Sequence, residues 1–243
     1  MRQALPIDAA TVASLSDTSP ADLEIAGVRL VIDPAGALWW PEEKLLAVAD
    51  LHLEKGSSLA RRGTLLPPYD TATTLARLSV LIDAYAPAVV LALGDSFHDR
   101  NGADRLEVSD RDALAALQRG RQWMWIAGNH DPVPVRDVGG ECATALAIGA
   151  LMWRHEPTNA PTAGEIAGHL HPVARIRTGE RAIRRRCFVA DATRVVMPAF
   201  GAYAGGLNVR DAAFASLFTA DFTAHVLGRE RIYQFAAAHC LRD

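Results

Sequence analysis

Three short apolar runs constrain this chain more than any other feature: Lys44 to Ala49, Ala88 to Leu93 and Trp123 to Ala127. Runs this short with almost no polar alternation predict strands covered on both faces, the habit of parallel strands in α/β sheets. Each run is followed at once by residues of metal-ligand type: Asp50 and His52, then Gly94 and Asp95, then Gly128, Asn129, His130 and Asp131. Sites in such sheets form outside the carboxyl ends of the strands, where these residues stand. Between the first two runs, Asp70 to Tyr85 repeats apolar residues at helical spacing through Leu75, Leu78, Ile82 and Tyr85, and Pro87 ends it. A second helix is predicted around Asp110 to Gln118, ahead of the third run.

The flanking segments are more broken. Leu23 to Ile32 predicts one strand, Asp33 to Gly36 a turn, and Ala37 to Trp40 its hairpin partner. Beyond the third run, Ala145 to Arg154, Glu165 to Gly168, Val173 to Arg177, Arg185 to Ala190, Arg194 to Met197 and Thr223 to Val226 are strand candidates, and only Ala212 to Phe218 looks helical. No repeat or proline-rich linker separates the halves. The expectation is an N-terminal tail over 1–20 and one domain over 21–243, with a mixed sheet packed on a second sheet and helices outside.

Six of the eight histidines fall in five segments: the three strand ends, with His98 after Gly94-Asp95, then His155-Glu156 and Gly168-His169-Leu170-His171. Taken singly, Asp-x-His is also a common hydrogen-bonded pair and Gly-Asp a common turn. Gly-His-x-His is a stronger pattern, because residues two apart on a strand face the same side. Together the five segments predict a centre of imidazole and carboxylate ligands, suited to Mn, Fe, Zn or Ni without thiolates. His225 and His239 lie outside this pattern and read as ordinary core or surface histidines. Cys142, Cys187 and Cys240 are too scattered for a disulfide framework, so reduced thiols and a cytoplasmic location are expected. Met1 to Pro20 does not read as a secretory signal and no segment reads as a membrane span. A net charge of −3 argues against nonspecific coating of nucleic acid.

The order Asp-x-His, Gly-Asp, Gly-Asn-His-Asp, His, Gly-His-x-His, from about Ala49 to His171, resembles the calcineurin-like metallophosphoesterase superfamily. That resemblance implies an α/β sandwich of two mixed β-sheets flanked by helices, in α/β/β/α layers. It also implies two divalent metal ions, manganese foremost, with iron, zinc or nickel as alternatives. Carried onto this chain, Asp50, His52 and His171 would bind the first metal, Asn129, His155 and His169 the second, and Asp95 would bridge them with its two oxygens. Such a pair neutralises a phosphodiester and activates water for in-line attack. His130 would protonate the leaving oxygen or stabilise developing charge. Many members carry an aspartate three residues after the bridging one, where this chain has His98, followed by Asp99. The Gly94-Asp95-Ser96-Phe97-His98 string is similar to repair nucleases of the SbcD type, so the partner of His130 is His98, Asp99 or both.

Longer strings narrow the resemblance. Asp50-Leu51-His52-Leu53-Glu54-Lys55-Gly56-Ser57, Leu66-Pro67, Tyr69-Asp70-Thr71, His155-Glu156-Pro157, Arg186-Cys187-Phe188, Pro198-Ala199-Phe200-Gly201 and Gly205-Gly206-Leu207-Asn208 together look like the ligase-associated DNA damage response endonuclease PdeM branch. The likeness spans about residues 22–235. It implies a manganese-dependent endonuclease cutting single-stranded or damaged DNA in repair, associated in function with a DNA ligase, exonuclease and helicase. Monomer or homodimer stays open.

Arg61 and Arg62 follow the first ligand loop, and Arg175, Arg177, Arg181, Arg184, Arg185 and Arg186 follow the second histidine pair. They can form a phosphate-tracking strip at the rim, or the solvated face of a hairpin. The five tryptophans sit mostly in strand patterns and are expected in the core. Glycines in the 198–208 motif predict tight turns or close backbone approach near the mouth. Two other classes fit the ligands: a phosphoesterase of small molecules such as cyclic nucleotides or nucleotide pyrophosphates, and a noncatalytic metalloprotein subunit of a repair complex. A scaffold has no physical need of His130, which counts against the latter.

Overall fold

The computed structural model describes residues 19–132, 137–160, 163–218 and 221–243, so the expected tail lies almost wholly outside the described residues. The first sheet runs in chain order: β1 (Ala21–Ile25), β2 (Val28–Ile32), β3 (Leu38–Trp40), β4 (Leu45–Ala49), β5 (Val89–Leu93), β6 (Gln122–Ile126) and β7 (Glu141–Ala143). It is antiparallel from β1 to β4 and parallel from β4 to β7. The three apolar runs are therefore neighbours, and their carboxyl ends emerge side by side.

The second sheet contains β8 (Ala145–Ile148), β9 (Leu151–Arg154), β10 (Glu165–Ala167), β11 (Pro172–Thr178), β12 (Arg181–Ala190), β13 (Arg194–Val196), β14 (Leu207–Asn208), β15 (Thr223–Leu227), β16 (Ile232–Ala236) and β17 (Cys240–Leu241). The described residues hold the α-helices α1 (Lys55–Ala60), α2 (Asp70–Tyr85), α3 (Val108–Gln118) and α4 (Ala212–Leu217).

Strand alternation sorts the core into three layers. Leu46, Val48, Val90, Ala92, Trp123 and Trp125 face Leu75, Leu78, Leu81 and Ile82 of α2 and Leu114 and Leu117 of α3. The intervening residues Leu45, Ala47, Leu91, Leu93, Met124 and Ile126 face the second sheet, meeting Trp153, Ile166, Phe188, Val195 and Met197. The far side of the second sheet, with Val189 and Val196, packs on Phe214 and Leu217 of α4. These are α/β/β/α layers, and burial on both faces is why the central strands carry no polar alternation. Trp40, Trp123, Trp125 and Trp153 are buried and Trp39 packs against the core, as expected. No helix among the described residues is long and apolar enough to cross a membrane.

The structure divides two of the expected strands. Ala26 and Gly27 hold φ of 51° and 77°, the left-handed pair that folds β1 back on β2 in a two-residue turn. Gly149, at φ 55°, begins the turn that folds β8 onto β9 in the same way. The short elements β7, β16, β17 and α1 lacked a periodic signal in the sequence.

His225 on β15 is a core histidine, 5% exposed and opposite Phe188, with no hydrogen-bond partner for Nδ1 among the described residues. Burial pushes its pKa down to about 4. The folded state therefore favours the neutral ring, and this contribution is complete above the unfolded value near 6.5 and fades as pH falls toward 4. In metal-free protein, His225→Leu is expected to remove about 2 kcal/mol of the stability lost between pH 7 and 5. Parallel acid dependence of denaturant unfolding in the two proteins would contradict this.

Candidate metal centre

Five loops deliver the ligand-type residues to one place, and several do so in a backbone conformation that side chains resist. Asp50, His52, Asp95, His169 and His171 hold φ of 43° to 69°. Left-handed backbone costs roughly 1–2 kcal/mol per non-glycine residue and persists where surrounding structure dictates it. Here that structure is the seam between the sheets. Ala199 forms a parallel bridge to Ala49, and the amides of Phe200 and Gly201 donate to the carbonyls of Ala49 and Asp50. The 198–208 motif thus clamps the first ligand loop, and its Leu207 amide reaches the carbonyl of His171. The Asn208 side chain hydrogen-bonds to backbone groups, the carbonyl of Leu241 and the amide of Arg210. A side chain on Gly94 would collide with the His155 ring, and one on Gly128 with the Asp95 amide, so both loops approach as closely as glycine allows.

The donors fall into two groups. In the first, Asp50 Oδ1 lies 3.3 Å from His171 Nε2, which lies 3.3 Å from His52 Nε2. In the second, His155 Nε2 lies 3.1 Å from His169 Nδ1, 2.9 Å from Asn129 Oδ1 and 3.5 Å from Asp95 Oδ2. Asp95 Oδ2 is also 3.9 Å from His52 Nε2, so one oxygen faces both groups. Its other oxygen accepts the His130 amide at 2.8 Å. The structure thus places Asp95 Oδ1 on the backbone amide and Oδ2 toward both groups.

These contacts fit divalent cations. Asp50 Oδ2 accepts the His169 amide, whereas the buried Asp50 Oδ1 has no hydrogen-bond donor among the described residues. Burial, then the neighbouring histidines, lowers the pKa of His52 to about 2, and burial and His155 lower that of His169. Imidazole nitrogens converging on one another, beside an orphaned carboxylate oxygen, leave a cation as the satisfying partner. Asp50, His52 and His171 could hold one ion and Asn129, His155 and His169 a second, with Asp95 shared. A third trio, His52, His98 and His130, lacks a carboxylate.

The structure also resolves the partner of His130. Its Nδ1 lies 2.8 Å from the backbone carbonyl of His98, which can only accept, so Nδ1 carries the proton. Nε2 is left facing the centre, 3.9 Å from Asp95 Oδ2. Residue 98 is thus the partner through its main chain, and the rings of His98 and His130 stack at 5.1 Å. The expectation for Asp99 is corrected, because its carboxylate turns away to receive Arg105 at 2.9 and 2.7 Å. Burial raises the Asp99 pKa, but hydrogen bonds from Arg105 and Ser58 outweigh it and hold the group well below the usual carboxylate range.

Three functional neighbours went unassigned in the sequence. Asp131 accepts the amides of Phe97 and Gly128 at 3.0 and 3.1 Å, tying the second ligand loop to the third. Burial pushes its pKa up to about 6, opposed by the Phe97 amide and reinforced by Asp95. Its place in the Gly-Asn-His-Asp string was the available signal. Lys55 donates to the carbonyl of Tyr203, and its charge bears on His52 and His98. Arg105 had no local pattern.

Of the hairpin arginines, Arg175 pairs with Arg184 across β11 and β12, Arg177 and Arg186 lie two residues along on the same face, and Arg185 turns to the other side. Arg186 is half-buried and donates to the Ala199 carbonyl, which removes it from the exposed surface. Arg175 donates to the Arg242 carbonyl, and Arg184 to that of Gly206, with Asp243 3.4 Å away. Arg177 is exposed six residues beyond His171, roughly 20 Å along the strand. Arg61 and Arg62 are exposed at the end of α1, beside the His98 loop.

Residues 43–175, more than half of the chain, match the family model of calcineurin-like phosphoesterases. The chain belongs to that family. Calcineurin-like phosphoesterases are metal-dependent, so this protein is a hydrolase of phosphoester bonds, and its two donor groups lie within the matched span. Among solved structures, Pseudomonas putida nuclease MPE superposes with a TM-score of 0.71 at 26% identity, covering 89% of this chain and 100% of that one. The E. coli phosphoesterase Yfce gives a TM-score of 0.39 at 14% identity, over 79% and 97% of the two chains. Comparison with curated proteins finds no match.

Proposed function

We propose that this calcineurin-like phosphoesterase is a manganese-dependent DNA endonuclease acting in repair. The observation that carries the hydrolytic reading is the single oxygen Asp95 Oδ2 facing two donor groups, 3.5 Å from His155 and 3.9 Å from His52. The nuclease reading is supported by likeness to the P. putida nuclease over that protein's whole length. The long strings shared with the ligase-associated branch support a place in repair beside a ligase, exonuclease and helicase.

Two divalent ions, when bound, supply neutralisation of the phosphate and activation of the attacking water. The chain's own residues do the rest. Asp50, His52, Asp95 and His171 would hold one ion, and Asp95, Asn129, His155 and His169 the other. Because His130 Nδ1–H is fixed on the His98 carbonyl, Nε2 is the atom that takes up a second proton and, from the imidazolium, delivers it to the leaving oxygen. His52 Nδ1 and His98 Nδ1 lie 3.3 Å apart. A His52 that ligated an ion through Nε2 would donate its Nδ1–H to His98, which would then carry its own proton on Nε2, available to a phosphate oxygen.

Chelated protein is expected to be inactive and to recover with Mn²⁺ more fully than with Mg²⁺, because imidazole favours transition ions. The assay uses single-stranded DNA, duplex DNA and bis-p-nitrophenyl phosphate in parallel. Cleavage of single-stranded DNA supports the proposal. Hydrolysis of the small diester with no DNA cleavage would transfer the reading to a small-molecule phosphoesterase, and full activity in excess chelator would end the two-metal reading.

A further inference from the structure

A cavity of about 360 Å³ opens beside the candidate centre, between the end of α1 and the loop after His98. Arg61, Arg62, Arg100 and Asn101 line it, with Ser58 and the Asp99–Arg105 ion pair. That ion pair is closed on itself, and Arg105 Nε donates further to Ser57 Oγ at 2.9 Å. Arg61, Arg62 and Arg100 are exposed and have no carboxylate partner among the described residues. Three unopposed guanidiniums around one concavity repel one another unless an anion enters. Guanidinium is the side chain best matched to phosphate, which it can bind through two parallel hydrogen bonds.

Position decides which phosphate. Arg100 is two residues from His98, and the charges of Lys55 and Arg62 both bear on the His98 ring. The cavity therefore lies next to the donor groups, lined by Asp99 and Arg100 of the loop that follows His98. Its volume exceeds what a lone phosphate needs and falls at the lower end of pockets that take small organic groups, enough for a phosphate with its sugar. The β11–β12 hairpin offers no comparable place, because Arg175, Arg184 and Arg186 are turned onto backbone carbonyls.

We propose that this cavity is a phosphate subsite for the DNA phosphate next to the scissile diester on the His98 side, with Arg61, Arg62 and Arg100 as its anion-binding groups. The proposal rests on the nuclease reading above and adds a direction to it: the strand leaves the metals past His98 and along α1.

The test compares wild type, Arg61→Ala/Arg62→Ala and Arg100→Ala, with Mn²⁺, on three substrates. These are bis-p-nitrophenyl phosphate, a single-stranded oligonucleotide, and the same oligonucleotide with one neutral methylphosphonate on either side of the cleaved bond. Each variant should hydrolyse the small diester within about 2-fold of wild type, because that substrate has no flanking phosphate. For the oligonucleotide, KM should rise on the order of 10-fold with kcat little changed, the scale of one or two charge-assisted hydrogen bonds. The slope of log affinity against log salt should fall by about 0.7, one phosphate's share on a single strand. A methylphosphonate on one side should raise the wild-type KM equally and add nothing in the variants, and Arg61→Lys/Arg62→Lys should restore most of the salt slope. Unchanged KM on the oligonucleotide, additive effects of variant and methylphosphonate, or equal loss on both substrates shared by the lysine variant would overturn the subsite alone. Wild type that hydrolyses the small diester but cuts no oligonucleotide would overturn the nuclease reading, and the subsite with it.

Discussion

Asp95→Ala is expected to leave the protein without its metal pair and to lower turnover roughly 10³-fold or more, since a two-metal centre contributes several kcal/mol to the transition state. The size of the effect follows from what one side chain does. Oδ2 stands between the His52 and His155 nitrogens, so its removal weakens both groups. Oδ1 holds the His130 amide, so the same substitution frees the loop carrying Asn129 and His130. Elemental analysis of the purified variant, with hydrolysis of bis-p-nitrophenyl phosphate, measures both consequences. Two bound ions and a rate within about 10-fold of wild type would show that Asp95 is not shared.

His130→Ala is expected to keep two ions yet lose on the order of 10²–10⁴-fold in DNA cleavage, the usual contribution of a positioned general acid. Neither donor group depends on the ring, whose Nδ1 is on the His98 carbonyl and whose Nε2 is 3.9 Å from Asp95. The loss should be smaller on bis-p-nitrophenyl phosphate, because a phenolate departs readily without a proton whereas a sugar alkoxide does not. Equal loss on both substrates would assign His130 to charge stabilisation in place of proton transfer. A variant purified without metal would show that His130 is itself a ligand.

The two expectations separate roles that are adjacent in sequence. Asn129 and His130 are neighbours on one loop, yet only Asn129 reaches the second donor group. The resemblance supplied those roles; the atoms that perform them depend on how the loops are held.

Much of the fold was legible because its signals are local. Apolar runs without alternation can be satisfied only by cover on both faces, which is what β4, β5 and β6 have. The α2 stripe through Leu75, Leu78 and Ile82 follows from helical geometry. The β1–β2 and β8–β9 turns were less legible, because Ala26-Gly27 and Gly149-Ala150 are weak turn sequences that become hairpins once apolar partners on either side can pair.

The sequence by itself determined which candidate ligand residues stand at the strand ends and in what order, because each follows a strand whose pairing fixes where its carboxyl end emerges. Only the tertiary structure decided how those residues are placed. The left-handed backbone at Asp50, His52, Asp95, His169 and His171 is not a preference of those residues; it is imposed by hydrogen bonds from segments far away in the chain. The engagement of Asp95 Oδ1 with the His130 amide and the burial of Arg186 on Ala199 are likewise contacts between separate segments, and the turn of Asp99 to Arg105 is set within one folded loop. The physical reason is common to all of them. A carboxylate or guanidinium has several directions in which it can bond, and the direction taken is set by which donors and acceptors the packed sheets bring within about 3 Å.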